Sequence, residues 1–353
     1  MKKKLAVYPF HKGLMPLLLT ESELQNFELI YAVVPKGWES FDEVDDTKKA
    51  LICDEESFYL NDLINSVDVL LLCKPQFQVD ESGYCRLTSL AEEKGKHIMY
   101  VAELKTVLNQ STIEGWECLN LEHPSISKQK ALASIDVPVI LIMGMGENCG
   151  KWNLQLKLSE NFRNSGYKMS LISSNALSRL WGYHTIPDII DGNDLTFSEQ
   201  VESINAYIKY IEQAENPDVI IIGVPGSILK YSTSVPNGYG YIPFLISNAV
   251  TPDITILSLY NGNYEESHLK EMKSTCLYKY GVNIDYYHIS ENVCLYNPEA
   301  RQLEYYSVDY LDSVENNSYS QEGMYTFNLS NSTSQEEAFR RIISELQNNI
   351  PMI

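Results

Sequence analysis

Short apolar runs alternate with helix-spaced polar segments along most of the chain. Leu5–Pro9, Glu28–Val34, Val67–Cys73 and His97–Val101 are β-rich runs bounded by turn residues. Helical candidates lie among them at Leu14–Thr20 and around Leu87–Lys94. Strands alternating with helices predict a small doubly wound α/β unit. Ser125–Ser134 reads as a linker or short connecting helix, after which the pattern restarts with strand candidates at Val137–Met143, Lys168–Ser173, Val219–Ile222 and Ile254–Ser258. Helices are expected directly after the first of these, over Ser198–Glu212 and near Glu265–Lys279. Asp285–Ile289 closes the predicted core, and Val293–Tyr296 with Leu303–Val308 predicts a hairpin. Asn316–Ser334, rich in Asn, Ser and Tyr, is expected to be irregular. Gln335–Gln347 then predicts an amphipathic helix with Phe339, Ile342, Ile343 and Leu346 on one stripe. No internal repeat is visible.

Composition narrows the function classes. A chain of 353 residues, 44% hydrophobic, can bury a large core and is expected to form two domains. A formal net charge of −20 argues against nucleic-acid binding, which needs a basic footprint. No apolar run reaches the roughly 20 residues of a membrane span, and the run after Met1-Lys-Lys-Lys is too short for a signal peptide. The seven cysteines contain no C-x-x-C pair and no zinc-like cluster, so reduced thiols and a cytoplasmic location are expected. The 24 tyrosines fit a partner surface or ordinary packing equally well.

The chemistry concentrates in Val137-Pro-Val-Ile-Leu-Ile-Met-Gly-Met-Gly-Glu-Asn-Cys-Gly-Lys151-Trp152. A buried strand, a glycine turn and a helix opening on Gly150-Lys151 form the layout of a phosphate-binding loop. There, backbone N–H groups at the helix start cradle an anion and the lysine reaches its outer oxygens. The expected ligand contacts are Gly144, Gly146, Glu147, Asn148, Cys149, Gly150, Lys151 and Trp152, and the expected ligand class is ATP, GTP or another phosphorylated molecule. The plainer reading is a glycine turn followed by a solvated lysine.

Two departures bear on magnesium. Trp152 stands where a phosphate-binding loop carries the Ser or Thr that holds the metal. In Asp218-Val-Ile-Ile-Ile-Gly-Val-Pro-Gly226, Gly223 stands where a strand-end acid is expected, and Asp218 precedes the strand. Magnesium neutralises charge between phosphates, so losing both ligands argues for binding over hydrolysis. No metal ligand set is assigned. Glu147, Asp188, Asp191 and Asp194 are conceivable substitutes, though solvated loop acids are the simpler account. Ser173 and Ser174 offer a hydroxyl or cap the turn into Asn175.

Other residues are expected near the pocket. Cys149 lies in the anion-binding turn, where a helix N-terminus would lower its pKa. Asn175, Arg179 and His184 follow the second strand, Arg179 as an anion clamp and His184 as an acid or base or a structural residue. Gly223, Pro225 and Gly226 follow the third strand, and the stretch onward to Asn237-Gly-Tyr-Gly240 is long enough for a flexible cover. Asn248 faces the same crevice or caps a helix. The expected class is therefore α/β. A small Rossmann-like domain (1–124) and a linker (125–136) precede a P-loop-like, mostly parallel sheet domain with a C-terminal hairpin and helix (137–353). The first domain lacks Gly-x-Gly-x-x-Gly, so no dinucleotide site is expected there.

Two resemblances add to this reading. The five-residue gap between Gly144 and Gly150 resembles the loop of dethiobiotin synthetase and its relatives in the SIMIBI class of P-loop proteins, over roughly residues 137–260. Lys4-Leu-Ala-Val-Tyr-Pro-Phe10, Pro35-Lys-Gly-Trp38, the Met143–Lys151 loop and Ile220-Ile-Ile-Gly-Val-Pro-Gly226 together resemble the clostridial-type peptide maturation system protein family. Its members are encoded beside radical-SAM maturases of Cys-rich ribosomal peptides. That resemblance implies an accessory role in making a modified, bacteriocin-like peptide, with the precursor peptide or the maturase as partner. It supplies no reaction and no catalytic residues. A nucleotide-independent pseudo-NTPase scaffold and an ATP-dependent ligase are the alternatives, and a homodimer is compatible with each.

Overall fold

The computed structural model describes residues 2–38, 51–54, 60–75, 81–106, 108, 112–119, 131–186, 195–232, 235, 237–299, 302–307, 320–321 and 324–349. The chain divides into two compact units, Met1–Glu122 with Ala176–Gly182, and His123–Asn175 with Tyr183–Ile353.

In the first unit, apolar strands bury their side chains on both faces, as parallel sheets require. The elements are β1 (Lys3–Tyr8), α1 (Met15–Leu19), β2 (Phe27–Val34), β3 (Leu51–Asp54), α2 (Leu60–Ser66), β4 (Val69–Leu72), α3 (Glu81–Glu93), β5 (His97–Tyr100) and β6 (Glu117–Cys118). The strands pair in parallel in the order β3-β2-β1-β4-β5-β6, the Rossmann arrangement. Ala176–Gly182, distant in sequence, also belongs to this unit. Its Leu180 carbonyl accepts from Gln25 N at 2.8 Å, and Trp181 Nε1 donates to Thr20 Oγ1 at 3.0 Å.

The second unit contains β7 (Val139–Gly144), α4 (Lys151–Asn164), β8 (Met169–Ser173), β9 (His184–Thr185), α5 (Phe197–Glu215), β10 (Val219–Gly223) and α6 (Tyr241–Ala249). It continues with β11 (Ile254–Leu259), α7 (Glu266–Tyr280), β12 (Tyr286–Ile289), β13 (Asn292–Asn297), β14 (Gln302–Ser307), β15 (Ser320–Gln321), β16 (Met324–Phe327) and α8 (Ser332–Asn349). The sheet order is β15-β16-β12-β11-β7-β10-β8-β9, parallel except for the β15–β16 pair, and β13 and β14 form a separate antiparallel hairpin. Both units thus have the expected α/β class.

Period-two alternation distributes the core. Val139, Leu141 and Met143 of β7 join Ile220 and Ile222 of β10 against α5, α6 and α7, and the intervening Ile140, Ile142 and Ile221 are buried on the other face. Helix α4 packs against β7, β8 and β10. Helix α5 starts at a capping box, Thr196 N donating to Glu199 Oε2 at 2.9 Å and Glu199 N to Thr196 Oγ1 at 3.4 Å. Residues 133–137 run along α5: Asn205 Oδ1 accepts from Ala133 N at 2.7 Å, and Glu212 Oε1 accepts from Val137 N at 3.1 Å. Of the predicted stripe on α8, Phe339, Ile342 and Leu346 are buried and Ile343 is half-buried.

The segment expected to be irregular differs from that expectation where it is described. Met324–Phe327 forms β16, buried throughout, with Tyr325, Thr326 and Phe327 paired in parallel to β12 and Met324 to Gln321. Helix α6 is also unpredicted. Its sequence Tyr-Ile-Pro-Phe-Leu-Ile-Ser-Asn-Ala is too uniformly apolar to show a helical period. No helix among the described residues is long and apolar enough to cross a membrane.

Candidate functional site

The central strand β7 ends at Gly144, and its neighbours β10 and β11 lie on opposite sides of it. The chain leaves β7 towards β8 and leaves β11 towards β12, so the loop after Gly144 sits at a topological switch point, on the carboxyl edge where α/β sheets bind ligands. Met145 N donates to Ser258 O at 2.8 Å and Gly144 O accepts from Ile228 N at 2.9 Å, tying the loop's root to both flanking segments.

From there the backbone turns through Asn148 (φ 50°) and Gly150 (φ 77°) into α4. Left-handed residues next to a helix start aim successive N–H groups into one concavity. The helix begins at Lys151 with Gly150 as N-cap and no side-chain cap. Leu154 N makes the first bond back, to Gly150 O at 3.1 Å. Among the described residues, the N–H groups of Gly146, Glu147, Asn148, Cys149, Gly150 and Lys151 donate to no acceptor.

Two distant segments hold the loop's carbonyls. Asn292 Nδ2 donates to Asn148 O at 2.6 Å, and Tyr260 Oη donates to Glu147 O at 2.5 Å, its ring stacked on Tyr305 with centroids 6.4 Å apart. Ser258 Oγ donates to Cys149 O at 2.6 Å and lies 2.7 Å from His288 Nδ1. A hydroxyl has one proton, and the Cys149 carbonyl can only accept it, so His288 donates from Nδ1 to Ser258. Carbonyls fastened from behind leave the N–H groups facing forward.

Burial pushes the His288 pKa down to about 3, so the ring stays neutral. The native imidazole then refuses a proton that the unfolded chain accepts at a pKa of about 6.5. Its contribution to stability is present above pH 6.5 and is lost as pH falls towards 3, with a slope of about 1.4 kcal/mol per pH unit. A His288→Asn protein keeps a donor for Ser258 and should show a shallower loss of unfolding free energy between pH 6.5 and 4 in urea titrations. An unchanged slope would contradict a neutral buried His288.

Lys151 is 6% exposed. Its Nζ donates to Gly226 O and, at 3.5 Å, to Gly146 O. Among the described residues no carboxylate pairs with it. Glu147 is exposed. Cys149 is fully buried, its thiol donating to Gly146 O at 3.1 Å, and burial raises its pKa in spite of the nearby Lys151 ammonium. The expected lowering by the helix start is therefore outweighed by desolvation.

The position beneath the loop holds a residue that the sequence reading did not single out. Gln155, one turn after Lys151 on α4, is fully buried. Its Oε1 accepts from Ser173 Oγ at 2.9 Å and Ser174 N at 3.0 Å, and its Nε2 donates to Ser174 Oγ at 2.7 Å. A Cβ on Gly223 would stand 2.2 Å from the Gln155 amide carbon. The side-chain direction of a strand-end acid is thus filled by an amide. Trp152 is buried at 8% exposure, consistent with a packing residue. No group of three metal-ligating side chains occurs among the described residues. Asp188, Asp191 and Asp194 lie outside the described residues.

The remaining candidates are scattered. Ser173 Oγ also accepts from Asn175 N at 3.2 Å, which caps that turn. Arg179 lies in the Ala176–Gly182 segment of the first unit. His184 Nε2 meets Glu215 Oε1 at 2.6 Å and its ring is 6.3 Å from Tyr207, so its partners are on α5. Pro225 and Gly226 border the loop through the Gly226–Lys151 bond. Asn248 donates to Phe244 O at 2.7 Å within α6, bonding its own helix. Lys151 at i and Gln155 at i+4 is the one local pattern from which Gln155 could have been picked out.

No protein-family model matches the chain, and no curated protein does. Among solved structures, the fold is similar to that of a DUF1611 family protein from Anabaena variabilis. Identity is 13% and the TM-score 0.54, over 82% of this chain and 88% of that chain. Smaller parts align with the cell division protein FtsY of Thermotoga maritima (16% identity, TM-score 0.29, 47% of this chain and 57% of that chain). The signal recognition particle receptor FtsY of Elizabethkingia anophelis, solved with GDP, aligns at 18% identity and TM-score 0.30 over 49% and 54%. What the first likeness shows is a shared α/β fold across most of both chains.

Proposed function

We propose that the second unit binds a nucleotide or another phosphorylated ligand at the Gly144–Lys151 loop, and binds it without hydrolysing it. One observation carries the reading: the buried Lys151 ammonium has only carbonyl partners among the described residues and sits beside a run of N–H groups without acceptors. A buried cation lacking a counterion is costly, and so are orphan donors at a helix start. A phosphate oxygen answers both at once. Titration calorimetry with ADP, GDP and inorganic diphosphate tests this. Saturable binding of at least one is expected, and no heat at millimolar concentrations of all three would overturn it.

The resemblance to the peptide maturation family extends the reading. The ligand-bound protein would assist the maturation of a ribosomally made peptide, and co-purification with the neighbouring precursor peptide or maturase checks that extension. A nucleotide-independent scaffold is the second reading. It is favoured by the Gly226 and Gly146 carbonyls, which already engage the lysine that a ligand would need.

A further inference from the structure

We infer that the Gly144–Lys151 loop holds its phosphate group without a divalent cation, with Gln155 occupying the place from which the protein would otherwise reach a metal. This rests on the phosphate-binding reading above and specifies its ligand chemistry. The phosphate is an anchor, and any reaction takes place elsewhere on the ligand.

Magnesium is the usual divalent ion of nucleotide sites. The ion takes near-octahedral oxygen ligands and is held at nucleotide sites by one or two protein oxygens plus phosphate and water. In a phosphate-binding loop those protein oxygens are the hydroxyl after the lysine and an acid at the end of a neighbouring strand. Here the first position is a buried indole, Trp152. The second is Gly223, paired to Ile142 on the central strand, with no side chain.

The space itself is closed as well. A Cβ on Gly223 would lie 2.2 Å from Gln155 Cδ and Nε2 and 2.3 Å from Oε1. The Gln155 amide is immobilised by three hydrogen bonds to Ser173 and Ser174. Its carbonyl oxygen is used twice as an acceptor, by Ser173 Oγ and Ser174 N, so both of its lone pairs are committed. Ser173 Oγ donates to that oxygen and accepts from Asn175 N. The Gln155 carbonyl, the oxygen closest to the absent acid, therefore has no lone pair left for a cation. An amide also adds no negative charge beneath the phosphate, and the loop's own carboxylate, Glu147, is exposed. Lys151 supplies the positive charge, and the loop N–H groups supply the oxygen contacts.

Calorimetry with inorganic diphosphate and ADP, each run once in EDTA and once in excess magnesium, tests the inference on the full chain. Equal affinity within about twofold is expected for diphosphate and ADP once free-ligand concentrations are corrected for magnesium complexation. Binding that requires magnesium would overturn the inference while leaving the phosphate site standing, and would point to acids outside Gln155 and Gly223. Binding in neither condition would overturn both. A second variant, Gly223→Asp with Gln155→Ala, opens the space and restores an acid at the strand end. Its repulsion of the phosphate should weaken binding in EDTA about tenfold or more, with magnesium recovering it. Circular dichroism confirms that the variant is folded. An affinity for diphosphate that is unchanged in EDTA would show that Gly223 does not face the phosphate, and would also overturn the inference.

Discussion

Gly150→Ala is expected to destabilise the second unit by about 2–4 kcal/mol in urea unfolding. Two effects add. At φ 77° an L side chain is strained by about 1 kcal/mol. Its Cβ would also stand 2.5 Å from Ser290 Cβ and 3.3 Å from His288 Cε1, in a layer that cannot yield cheaply. Overpacking of that kind costs about 1–3 kcal/mol. Gly166 separates the two. It has φ 85° but nothing within 4 Å of a Cβ, so Gly166→Ala reports the backbone strain alone. Equal losses for the two variants would mean that Gly150 is not pressed against Ser290.

Lys151→Ala is expected to weaken diphosphate and ADP binding about ten- to hundredfold, the worth of one charge-assisted hydrogen bond of 1.5–3 kcal/mol. The truncation also strips partners from Gly146 O and Gly226 O, so a fall in affinity could reflect a disturbed loop. Lys151→Met loses the same two bonds but keeps the length and apolar stem of the side chain, so it separates loss of the ammonium from loss of packing. Both variants should lose affinity alike. Full retention by Lys151→Met would remove the lysine from the site.

The strand–loop–helix unit was legible because its signals are local: a buried apolar run, glycines, then Lys151 opening a helix. Trp152 and Gly223 were legible as departures for the same reason. The consequence of Gly223 was not, because it depends on Gln155, which approaches from α4, 68 positions earlier by number. Likewise Ser258, Tyr260, His288 and Asn292 fasten the loop from strands and turns more than 100 positions beyond it. No periodicity registers such contacts. Asn175, Arg179 and His184 follow one strand in sequence, yet Asn175 bonds Ser173, His184 meets α5, and Arg179 belongs to the first unit. Strand β16 was missed because Asn, Ser and Tyr around it read as loop, while Tyr325, Thr326 and Phe327 are held by pairing with β12 and Met324 pairs with β15.

The most direct measurement is a crystal structure of the protein soaked with ADP or inorganic diphosphate. Binding at the loop places phosphate oxygens at about 2.7–3.2 Å from the N–H groups between Gly146 and Lys151. It also turns Lys151 Nζ from Gly226 O towards the phosphate, with Gln155 unmoved. A loop that stays empty at saturating ligand, with Lys151 still on Gly226 O, would contradict it.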